Sequence, residues 1–149
     1  MPIAATPETA APARLRVRDL MTEGAFAVRP KDSLATVSEL MDEHGVRHIP
    51  VVDGEGKLVG LVSQRDLLRN ALRGQAGLPP ELEKNLLLAT TASQIMTREP
   101  RTAEPEQDIR EAAQLMLEHK YGCLPVVRDE RLVGIITEAD FVRFLAAGE

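Results

Sequence analysis

The segment Leu58–Asp66 (LVGLVSQRD) returns as Leu132–Asp140 (LVGIITEAD), and this recurrence points to a duplicated architecture. Each copy reads as a short buried strand, then Ser63 or Thr137, then an Asp three residues later that opens a helix. The echo runs much further. Met21-Thr22 returns as Met96-Thr97, Pro30 as Pro105, Leu40-Met41 as Leu115-Met116, Glu43-His44 as Glu118-His119 and Pro50-Val51-Val52 as Pro125-Val126-Val127, each 75 residues later. Asp66 and Asp140 are 74 apart because the second turn, Arg128–Arg131, is one residue shorter. A hairpin tip is where duplicated units tolerate a dropped residue.

Taken in order, Arg14–Met21 is a lead-in of one helical turn, and Ala25–Val28 (AFAV) is short enough for a strand. Pro30 and Asp32 introduce a helix with Asp32 or Ser33 as its cap; Leu34, Val37, Leu40 and Met41 recur at helical spacing, and Gly45 stops it. His48–Val52 is an apolar strand whose Pro50 places it at a sheet edge or at a strand beginning. A turn at Asp53–Gly56, the strand Leu58–Val62 and a helix over Asp66–Leu72 complete the unit. The expected fold is α/β (α+β), two βαββα repeats packed about a pseudo-twofold axis, since neither copy can bury both faces of its sheet alone. The expected division is a disordered Ala/Pro tail at 1–13, repeats at 14–72 and 92–149, and a linker at 73–91. Within that linker Glu81–Ala89 reads as a short helix held to the core by Leu82, Leu86 and Leu87.

Composition removes several functions. A net charge of -5 argues against a nucleic-acid partner, and Phe26, Tyr121, Phe141 and Phe144 are too few aromatics for a base-stacking platform. The single Cys123 allows no internal disulfide and suits a reducing compartment. No apolar run approaches the ~18 residues of a membrane span, and the opening residues lack the basic start of a secretory signal. A soluble, cytoplasmic protein is therefore expected. No Walker loop, GxSxG elbow or HExxH motif occurs, so no enzyme activity is expected. Met21, Met41, Met96 and Met116 occupy repeat-equivalent places and read as core.

Both halves resemble the cystathionine-β-synthase (CBS) domain, through Met21-Thr22, Ile49–Val52 and Leu58–Asp66 and through Met96-Thr97, Leu124–Val127 and Leu132–Asp140. Together they resemble the tandem pair called a Bateman module, over residues 14–149. The resemblance implies two clefts between the halves, a regulatory role in sensing AMP, ADP, ATP or S-adenosylmethionine (with or without Mg²⁺), and no required cofactor. It also implies a homodimer shaped as a flat disc and an unidentified protein under its control. With 149 residues there is no room for a catalytic barrel, so a stand-alone module is expected.

Two readings compete at the strand–helix junctions. Asp66 can accept from both hydroxyls of a ribose, with Ser63 and the helix N-terminus facing a phosphate and Arg65 neutralising it. Alternatively, Ser63 and Asp66 form a capping box and no more. Thr137 and Asp140 repeat the pattern, but Glu138 and Ala139 replace Gln64 and Arg65, so the second site should suit a less anionic ligand. The resemblance assigns the adenine wall to Thr22, Ala25, Phe26, Ala27, Arg47, His48 and Ile49 in one half. In the other it assigns Thr97, Arg101, Thr102, Ala103, Gly122, Cys123 and Leu124. Ile49 and Leu124 read equally well as core, and Arg47 as solvated surface. His44, His48, His119 and Cys123 would bind zinc only if the pseudo-twofold axis gathered both pairs, so no metal site is expected. The contrasting function is a structural scaffold whose ligand sites are degenerate.

Overall fold

The computed structural model describes residues 15–72 and 79–148. The expected tail at 1–13 and the linker residues 73–78 lie outside the described residues. Helix α1 (Val17–Leu20) leads into strand β1 (Thr22–Glu23), and helix α2 (Leu34–His44) into the hairpin of β2 (His48–Val52) and β3 (Leu58–Ser63). Helix α3 is Gln64–Leu72 and α4 is Pro80–Ala89. The pattern then restarts with α5 (Ala92–Ile95), β4 (Thr97–Arg98), α6 (Ile109–His119), β5 (Cys123–Arg128), β6 (Arg131–Thr137) and α7 (Glu138–Ala146).

Local chemistry accounts for the element ends. Ser33 caps α2 by accepting from the Thr36 N–H at 3.2 Å, and Gly45 ends it in the left-handed region at φ 64°. The turn after β2 is held by the Asp53 carboxylate, which accepts from the Glu55 and Lys57 N–H groups at 2.8 and 3.0 Å. Those bonds favour the ionised form and hold the Asp53 carboxyl below its usual range.

The two sheets have strand orders β2-β3-β4 and β1-β6-β5, all antiparallel. The short strand ahead of each repeat therefore pairs in the other repeat's sheet: Thr22 lies opposite Ile135, and Thr97 opposite Leu61. The helices go with them. Val17 is buried in the second core with Leu124, Val126 and Ile136, while Ala92 is buried in the first with Ile49, Val51 and Val62. Val17 N–H donates to the Gln107 carbonyl and Ala92 N–H to the Asp32 carbonyl, at 2.9 and 2.8 Å. Two glycines permit the exchange. A Cβ at Gly134 would stand 2.8 Å from the Thr22 carbonyl oxygen, and one at Gly60 would overlap Met96 Sδ and Cγ. The hairpins also meet directly, with Leu58 N–H donating to the Glu130 carbonyl and Leu132 N–H to the Gly56 carbonyl.

Ala25–Val28 does not form the expected strand. Val28 makes one parallel bridge to Val51, through Val28 N–H to the Pro50 carbonyl and Val52 N–H to the Val28 carbonyl. Extending that ladder would need the N–H of residue 50 at one end and of residue 30 at the other, and both are proline. Ala103 repeats the arrangement against Val126, between Pro105 and Pro125. Pro50 and Pro125 sit inside β2 and β5, which are edge strands, as expected. Of the three leucines expected to anchor α4, Leu87 packs on the first core, whereas Leu82 is exposed.

Candidate ligand-binding cleft

The strand–helix junction of the first repeat opens onto a cleft of about 550 Å³. From that repeat it is lined by Arg47, His48, Leu61, Ser63, Gln64, Arg65, Asp66 and Leu68. The second repeat adds Thr97, Lys120, Tyr121, Gly122, Cys123 and Glu138. The volume falls within the roughly 300–1,000 Å³ usual for small-molecule sites. A neighbouring cavity of about 330 Å³ is lined by Asp66, Arg69, Asn70, Gln94 and Ile95, so Asp66 borders both.

At this junction the capping box is formed. Ser63 N–H donates to Asp66 Oδ2 at 2.9 Å, and Asp66 N–H donates to Ser63 Oγ at 3.1 Å. The box occupies only one carboxylate oxygen, and Asp66 Oδ1 has no hydrogen-bond partner among the described residues. The helix start offers fewer donors than its sequence suggests. Gln64 N–H is directed to the Arg47 carbonyl at 2.8 Å and Asp66 N–H to Ser63, so recognition of an anion falls mainly to side chains.

The second junction has the same residue types in a closed arrangement. Thr137 N–H donates to Asp140 Oδ2 at 2.8 Å and Thr137 Oγ1 does so at 3.3 Å. Asp140 Oδ1 accepts from Thr22 Oγ1 at 3.0 Å and from the Arg143 guanidinium at 2.7 Å. Asp140 is 5% exposed, and both of its oxygens are engaged by the chain's own donors. The corresponding residues around Asp66, Thr97 and Arg69, make no such bonds among the described residues. The two junctions therefore differ in hydrogen bonding as well as in charge.

The other expected wall residues are dispersed. Arg47, His48, Thr97, Gly122 and Cys123 line the cleft with Ser63, Arg65 and Asp66. Thr22, grouped in the sequence with Arg47–Ile49, instead stands beside Asp140, because β1 pairs with β6. Thr97 stays with Gly122 and Cys123, its expected neighbours, on the Asp66 cleft. Ile49, Leu124 and Ala103 are buried in the two cores. Phe26 is 43% exposed and stacks on His44 at 3.7 Å between ring centroids. Ala25, Ala27 and Thr102 are half-buried on the connecting segments and do not line the cleft. His119 stacks on Tyr121, and among the described residues no group of three or more His, Cys, Asp or Glu is placed to hold a metal ion. Lys120 and Tyr121, not anticipated from the sequence, enter through the second repeat's helix-to-strand connection.

Two titratable groups in the cleft are displaced from their ordinary ranges. Burial pushes the Cys123 thiol up to about 12, with Asp140 adding to the effect, so it stays protonated and unreactive. Burial lowers the His48 imidazole, and Arg47 lowers it further, against the opposing pull of Asp66 and Glu138. Above its unfolded value of 6.5 His48 is neutral in both states. As pH falls through that value the unfolded chain takes up the proton first, so stability declines until the folded imidazole also titrates. Urea midpoints measured between pH 8 and 5 should fall more steeply for wild type than for His48→Gln. Parallel profiles would remove His48 as the cause.

Known proteins share the fold. The chain is 33% identical over 125 residues to the CBS domain-containing protein YhcV of Bacillus subtilis, covering 83% of this chain and 81% of that one. It superposes on CBSX2 in complex with AMP at a TM-score of 0.73 and 33% identity, covering 89% and 96% of the two chains. It also superposes on the CBS domain pair of MJ0100 in complex with 5′-methylthioadenosine and S-adenosyl-L-methionine, at a TM-score of 0.76 and 25% identity, covering 91% and 99%. Among the described residues no helix is long and apolar enough to cross a membrane. The CBS domain family matches residues 17–73 and 92–147, and the chain belongs to it as a tandem pair of CBS domains.

Proposed function

We propose that the protein is a regulatory module that senses an adenosine-containing ligand, AMP, ADP, ATP or S-adenosylmethionine, in the Asp66 cleft. The observation that carries this reading is the convergence of Ser63, Arg65 and Asp66 with Thr97, Gly122 and Cys123 on one cavity built from both repeats. Asp66 Oδ1 is available to the ribose hydroxyls, while Arg47 and Arg65 supply charge for a phosphate. Mg²⁺ enters only as a companion of a polyphosphate. The two repeats, 14–72 and 92–149, act as the halves that the ligand draws together, and the change in their packing is the signal to a regulated protein. Leu68 on α3 and Val142 and Leu145 on α7 are exposed apolar side chains, which supports a homodimer. The module works without catalysis, in the cytoplasm.

Thermal unfolding with each candidate ligand, with and without Mg²⁺, tests the reading. A ligand at 100 times its dissociation constant stabilises by about 2.7 kcal/mol, which for a chain of this size raises Tm by about 5–10 °C. Asp66→Ala should remove that rise. If no ligand moves the wild-type midpoint, the protein is a scaffold with degenerate sites. The closed bonding of Asp140 favours that second reading for the other junction alone.

A further inference from the structure

Helices α2 and α6 end in the same left-handed conformation with different residues. Gly45 closes α2 at φ 64° and ψ 30°, and Lys120, 75 positions later, closes α6 at φ 58° and ψ 37°. Each cap N–H donates to a carbonyl four residues back, Met41 or Met116, so the turns are equivalent. Glycine adopts this backbone without strain, whereas the Cβ of lysine crowds the neighbouring carbonyl. The second repeat thus places a disfavoured residue where the first has the favoured one, and that residue lines the Asp66 cleft. Lys120 forms no ion pair among the described residues.

Charge gives the lysine a purpose. On the cleft wall Arg47 and Arg65 are balanced by Asp66 and Glu138, and Lys120 tips the sum positive. The backbone contributes less, because the Gln64 and Asp66 N–H groups are already directed to Arg47 and Ser63. We propose that Lys120 recognises the phosphate tail of the ligand from across the cleft, selecting adenosine nucleotides over the cationic S-adenosylmethionine. This rests on the adenosine-sensing reading and adds a residue from the second repeat to a site centred on the first. Its ammonium, a compact charge on a long stem, can follow a phosphate without fixed geometry.

The test is calorimetric titration of wild type, Lys120→Gly, Lys120→Gln and Lys120→Arg with ATP, adenosine and S-adenosylmethionine, beside unfolding of each unliganded protein. Lys120→Gly and Lys120→Gln should bind ATP about tenfold more weakly and adenosine as wild type does. Lys120→Arg should keep ATP affinity. Lys120→Gly should also raise the unliganded Tm, by about 2–4 °C, while Lys120→Gln should not. A gain in stability together with a loss of ATP affinity is not what a purely structural lysine would give. Equal losses for ATP and adenosine, or unchanged ATP affinity in both neutral variants, would overturn the assignment while leaving adenosine sensing intact. Wild type binding none of the three compounds overturns both.

Discussion

Asp140→Ala should destabilise the unliganded protein by about 2–3 kcal/mol, against about 1 kcal/mol for Asp66→Ala. Both substitutions remove an N-terminal capping carboxylate, and that loss is common to the two. Asp140 also accepts from Thr22 on β1, so its removal loosens a strand donated by the opposite repeat. Its bond to Arg143 contributes little, because the Arg143 side chain is largely in water. Urea denaturation of the two variants separates the cases, and equal losses would mean that the Thr22 contact carries no weight. The same pair of variants should act in the reverse order on ligand binding. Asp66→Ala removes the carboxylate with an open oxygen, whereas Asp140→Ala removes one already occupied.

The second large effect is expected at Gly134. Alanine there brings a Cβ to 2.8 Å from the Thr22 carbonyl oxygen and 3.0 Å from Met21 Sδ. The carbonyl belongs to the β1 backbone, which can yield only by leaving its register with β6. A destabilisation of about 2–3 kcal/mol follows. Gly60→Ala, in the equivalent strand, meets the Met96 side chain instead. Methionine can swing away, and the loss there should be about 1 kcal/mol. Because displaced β1 no longer holds Thr22 against Asp140, Gly134→Ala and Asp140→Ala combined should cost less than their sum. Strict additivity in a double-mutant cycle would contradict the coupling.

The repeat itself was legible because its markers are chemically distinctive and come in register: Pro50 and Pro125, Ser63–Asp66 and Thr137–Asp140. Periodicity predicts α2 and the capping rules its end at Gly45, while they leave Asp32 or Ser33 open at its start, where Ser33 is the cap. The destination of β1 and β4 was not legible, since strands of two residues carry no periodicity and nothing local names a partner. A signal did exist. Gly60 and Gly134 interrupt otherwise β-branched and leucine-rich strands at equivalent positions, and an isolated glycine in a strand marks a close backbone approach. The exchange sets Thr22 beside Asp140, apart from Arg47 and His48. A residue's place in a repeat does not decide whether its side chain faces cleft, core or solvent, as Phe26 shows; of the two readings open for Ile49, core packing is the one that holds. Lys120 could have been found by setting it against Gly45, since a lysine in a glycine's place asks for a reason. Pro30 and Pro50 alone show why Ala25–Val28 cannot extend a ladder.

The exchange of lead-in segments means that the unit of repetition is not the unit of folding. Each closed body of this protein consists of one repeat's helices and hairpin completed by the other's first helix and edge strand. A single repeat carrying its own lead-in would be left with an unpaired sheet edge and an open core. It could close by trading lead-ins with an identical copy, as a segment-swapped pair with true rather than approximate twofold symmetry. Joining two such copies in one chain removes the need to meet a partner and frees the two junctions to diverge. An open Asp66 opposite a closed Asp140 is a difference that identical subunits could not fix in their sequence.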